Sequence, residues 1–145
     1  MNIKLITVTL SLLIMSGCSS LPMNPYSDLS TEGKMWQVAH IADVAQTIEI
    51  ARDPICYEES NPVTRRLIGR KPTVAKVVMW GATASYLNAQ LDVSINQSSM
   101  PKWAKKGIGY LNLGLKVDVV TGNYGIGVRI GAKNKPPSNH HCYRG

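Results

Sequence analysis

Prolines dictate where helices can run in this chain. Proline lacks a backbone N–H and its ring clashes with the preceding turn, so it is accepted in the first turn of a helix and excluded from the interior. Pro54, Pro62, Pro72 and Pro101 therefore divide the sequence into a long first segment, a very short second one and two long ones after it. In the first, Ser30 is an N-cap, Glu32 suits the positive end of the helix dipole, and Asp53-Pro54 is a stop. Val38, Ile41, Ala45 and Ile48 recur at steps of three and four and form one stripe. Trp36, Asp43 and Ile50 share the opposite side, with Thr47 at their edge. A helix apolar on both sides belongs in the centre of a bundle.

Asn61-Pro62 opens a short helix that Gly69 stops, and Pro72 opens a third that runs to about Leu91. The centre of that third helix, Gly81 to Ser85, is small on every side, which allows a neighbouring helix to approach closely. Its charge-free stretch, Val77 to Leu91, is 15 residues and falls short of a membrane span. Beyond Pro101 two readings compete. Leu111, Leu113, Leu115, Val117 and Val119 alternate with Asn112, Gly114, Lys116 and Asp118, as in a half-buried strand. Paired with Tyr124 to Ile130 across Thr121-Gly122-Asn123, that pattern makes a β-hairpin over about 111–130 and an α+β fold. A helix from Pro101 to about Val120 instead completes a bundle, whereas an isolated hairpin is marginal. The favoured fold is mainly α, a small three-helix bundle with an extra short helix over 31–131, followed by a polar tail at 132–145.

The N-terminus is of a different kind. Lys4 is its only charge, and an apolar run from Leu5 to Met15 precedes small residues, the layout of a cleaved signal peptide over 1–17. Met15-Ser16-Gly17-Cys18 resembles the bacterial lipobox, with Met15 where the family more often has Leu. The resemblance implies cleavage between Gly17 and Cys18, a diacylglyceryl group on the Cys18 thiol and N-acylation of the new terminus, with palmitate as the usual chain. Ser19, in place of the Asp that retains such proteins in the inner membrane, implies delivery to the outer membrane, facing the periplasm. Residues 18–30, with two prolines, are then a lipidated tether. The address comes with arithmetic: removing 1–17 leaves 128 residues and lowers the formal charge from +7 to +6.

Lipidation of Cys18 leaves Cys56 and Cys142, which an oxidising compartment would join. The bridge closes a loop of 86 residues, for which chain entropy suggests on the order of 4 kcal/mol. His140 and His141 beside Cys142, with His40 far upstream, lack metal-ligand spacing, so no metal or other cofactor is expected beyond the covalent lipid. The histidines read as tail residues and one polar position on a helix.

One polar constellation remains: Asp43 and Thr47 one turn apart, Glu59 and Asn61 before the short helix, and Lys76 in the third. This ExNP segment between helices loosely resembles small uncharacterised multi-helix membrane proteins of bacteria over residues 36 to 90, with Asn123 a further point of likeness. That resemblance implies architecture and no reaction, and this chain departs from it in having charged side chains in its helices and a lipid anchor. The favoured reading of the constellation is structural, with Asp43 pairing with Lys76 and with Glu59 and Asn61 capping the short helix. The competing reading makes Asp43 and Glu59 the acid and base of an envelope hydrolase. No catalytic motif of the GxSxG, SxxK or HExxH type is present. Arg65, Arg66, Arg70 and Lys71, with Lys102, Lys105 and Lys106, offer basic patches to anionic envelope components, nucleic acid being an improbable partner in the periplasm. The expectation is a non-enzymatic lipoprotein that acts by contact with an envelope component, its protein partner unidentified. A narrower alternative is a phage- or plasmid-encoded exclusion lipoprotein that blocks a receptor or entry machine.

Overall fold

The computed structural model describes residues 24–53, 57–59 and 61–131. Gly17, Cys18, Cys56, Cys142 and the tail lie outside them. A short 3-10 helix, Pro25–Asp28, leads into α1 (Thr31–Arg52), α2 (Pro62–Ile68), α3 (Val74–Gln97) and α4 (Lys102–Gly125). The fold is a helical bundle, and residues 111–125, where alternation had suggested a hairpin, are helical.

The caps explain the boundaries. Ser30 Oγ accepts from Gly33 N at 2.9 Å, and Asn61 Oδ1 accepts from Val63 N and Thr64 N at 3.0 and 3.3 Å. Pro62 follows at the first helical position, and Gly69 ends α2 at φ 95°, a left-handed conformation that favours glycine. Thr73 caps α3, so that helix starts two residues after Pro72.

α1 is central: α3 packs antiparallel on one side, α4 parallel on the other, and those two scarcely touch. The close approach of α1 and α3 depends on small residues. A Cβ at Gly81 would stand 2.7 Å from Val44 Cγ2, and one at Gly33 would stand 2.5 Å from Asp92 Oδ2. Because α1 is flanked rather than surrounded, one of its sides stays open. The covered side carries Gly33, Trp36, His40, Thr47 and Ile50. Val38 and Ile41, in the more regular apolar stripe, are 70% and 68% exposed.

Strand-like alternation in α4 arises similarly. Leu113 is buried while Leu111, Leu115 and Val117 are exposed, so the apolar residues are spread around the helix. After α4 the chain turns at Gly127 (φ 92°), and Val128 packs with Ile50 and Tyr57 in a small core at the far end of the bundle. Among the described residues no helix is long and apolar enough to cross a membrane.

Candidate functional site, a polar cavity beside the central helix

A cavity of about 590 Å³ opens between α1, α3, α4 and the start of α2. Asp43, Thr47, Glu59 and Asn61 all line it, so the fold brings together four of the five residues of the constellation. Lys76 does not join them. It is exposed on α3, and Lys116 of α4 takes its place, with Nζ 2.8 Å from Asp43 Oδ2. The correction has a helical cause. On a strand Lys116 would alternate outward, but on α4 it shares a stripe with Gly109, Leu113, Val120 and Asn123, which faces α1.

Asp43 is held at three points. Lys116 donates to one carboxylate oxygen, Asn123 Nδ2 approaches the other at 3.4 Å, and Thr47 Oγ1 donates to the Asp43 carbonyl at 2.9 Å. Lys116 also lies 5.1 Å from the centre of the Trp36 ring, within reach of a cation–π contact. Trp36 in turn stacks on His40 at 4.6 Å between ring centres.

His40, read from the sequence as one polar position on a helix, is buried in the structure. It is 4% exposed and its Nε2 is 2.9 Å from Gly81 O. A carbonyl only accepts, so Nε2 is the donor and Nδ1 carries a lone pair, which finds no hydrogen-bond partner. Burial, with Lys116 as a lesser cause, holds the His40 pKa below its ordinary value, while the Gly81 bond and Asp43 oppose this. Sequence reasoning missed His40 and Lys116. With both segments expected to be helical, that spacing already places His40 one turn from Trp36 and Asp43; what it leaves open is which side of each helix meets a neighbour.

Glu59 is buried, and its Oε1 accepts from Asn61 N at 2.8 Å, which fixes the entry into α2. Its own amide donates to Arg70 O at 2.9 Å, closing α2 and its flanks into one unit. Outside the cavity, Glu58 and Arg70 form a bidentate pair through Nε and Nη2, which draws the Glu58 pKa down. The arrangement gives Asp43 ion-pair work in holding α4 on α1, and Glu59 backbone work in fixing the entry into α2. Among the described residues no three His, Cys, Asp or Glu side chains form a metal-type cluster.

No family model matches the chain, and no curated protein or solved structure is significantly similar to it.

Proposed function

We propose that this protein is a lipid-anchored lipoprotein of the outer membrane, non-enzymatic, which works from the periplasmic face by contact with an envelope component. The observation that carries the contact reading is the apolar surface left uncovered on three helices. Val38 and Ile41 on α1, Met79 and Leu87 on α3, and Leu111 and Leu115 on α4 are each more than half exposed. Large exposed apolar surfaces mark contact sites in proteins of this size. The lipobox resemblance at Met15 to Cys18 supports the anchor, and the structural employment of Asp43 and Glu59 supports a non-catalytic role.

Arg65, Arg66 and Lys71 on and beside α2 are exposed and offer the far end of the bundle to an anionic envelope component, while Arg70 is engaged by Glu58. Crosslinking in intact cells from a photoreactive residue at Val38 or Met79 tests the proposal. A discrete crosslinked partner is expected from both sites, and palmitate labelling should vanish in Cys18→Ser. A chain that labels with palmitate but yields no discrete adduct from either helix would remove the contact reading. A hydrolytic activity on envelope material that is lost in Asp43→Asn/Glu59→Gln with the fold intact would favour a hydrolase instead.

A further inference from the structure

We propose that the end of the bundle where α1 begins rests on an anionic phospholipid surface, with Lys102, Trp103 and Lys106 at the headgroups and an apolar groove behind them at the acyl boundary. This deepens the lipid-anchored reading and rests on it.

Position is the first support. The first described residues pack on α3, with Tyr26 Oη 3.1 Å from Ser85 Oγ, and the chain then passes into α1 where Ser30 N and Oγ bind the Asp92 carboxylate at 2.8 and 2.7 Å and Glu32 lies against Gly109. Asn24 is six residues beyond Cys18, a reach of at most about 20 Å when extended. α1 then carries the chain about 33 Å away over its 22 residues, so α2 and its arginines sit at the opposite end. Of the two basic clusters, the one on α4 is at the end of the bundle where α1 begins.

Chemistry is the second. The groove, about 410 Å³, is lined by Leu91, Ile108, Leu111 and Leu115, with Lys102, Lys105 and Lys106 along it. Its acidic members are Asp92 and Glu32. Asp92 is occupied by Ser30 and Asn96, and Glu32 sits in the first turn of α1. Lys105 is likewise occupied, donating to Asn96 O and Ser98 O at 2.7 Å each. Lys102 and Lys106 make no ion pair among the described residues, and Trp103 between them is 79% exposed. Tryptophan flanked by lysine is the side-chain set enriched at the membrane interface, where each lysine adds attraction to anionic lipid.

The test uses the full protein, purified with its acyl chains and reconstituted in phosphatidylcholine vesicles with or without phosphatidylglycerol. Trp103 fluorescence, isolated by comparison with Trp103→Tyr, is read against brominated acyl chains and an aqueous quencher. Expected is quenching by the brominated chains that requires phosphatidylglycerol and is relieved by salt. The ratio of docked to undocked protein should fall at least about tenfold in Lys102→Glu/Lys106→Glu and hold in Arg65→Glu/Arg66→Glu. Trp103 equally open to the aqueous quencher with and without phosphatidylglycerol overturns the proposal. So does loss of docking in the arginine variant only, or shielding of Trp103 by rising protein concentration without lipid, which would mean that a second copy covers the groove. If mass measurement finds no acyl groups on Cys18, the lipoprotein reading itself fails; acylated protein with Trp103 in water defeats only the docking.

Discussion

Two side chains that sequence reasoning undervalued hold the bundle's polar interior. The Lys116–Asp43 pair is mostly shielded from water, at 17% and 16% side-chain exposure, so removing one partner leaves a charge without compensation. Lys116→Met should cost about 2 kcal/mol in denaturant unfolding, while Lys76→Met, at an exposed position, should stay within about 0.5 kcal/mol. Equal effects would mean that Asp43 is not tied to α4. His40 adds a pH dependence whose sign follows from its lowered pKa. The unfolded chain takes up a proton near the ordinary value of 6.5, whereas the folded protein resists until lower pH. The contribution of His40 is therefore complete above that value and is lost as pH falls through 6.5 toward the folded pKa. Unfolding midpoints measured from pH 7.5 to 5 should decline, and His40→Gln should flatten the decline.

Among the elements, α4 carries the sharpest lesson. Its apolar residues alternate, and local pattern alone could not separate a strand from a helix that is apolar on several sides. What accompanies the helix is a stripe of partners on α1, Asp43 and Gln46 among them. Gly114 tests this directly. A Cβ there meets nothing within 4 Å, so Gly114→Ala should stabilise the protein by about 0.5–1 kcal/mol through helix propensity. The same change at Gly81 should destabilise, because Val44 stands in the way, and Val44→Ala in the same chain should recover part of the loss. Thermal or denaturant unfolding of the single and double variants measures both.

For the molecule as a whole, the open arrangement of α3, α1 and α4 leaves large apolar side chains exposed on all three helices and puts the two basic clusters at opposite ends. It also brings Val128 against Tyr57, the residue after Cys56. The 14 residues from Val128 to Cys142 can span at most about 50 Å, ample for the tail to return. A Cys56–Cys142 disulfide is accordingly proposed, and wild-type protein should migrate faster than Cys56→Ser on non-reducing electrophoresis. Equal mobility, with two titratable thiols in wild type, would count against the bridge. Breaking it should lower stability by up to about 4 kcal/mol.

The sequence by itself determined where the helices begin and where α1 and α2 stop, because caps and prolines are local and act wherever the chain goes, whereas α3 and α4 run on to Gln97 and Gly125, past the expected ends near Leu91 and Val120. The exposed stripe of α1, the burial of His40 and the choice of Lys116 over Lys76 were decided only by tertiary structure. Each depends on which side of a helix meets a neighbour. A helix apolar on several sides leaves that choice open until close approach at Gly33 and Gly81, and ion pairing at Asp43, select one packing.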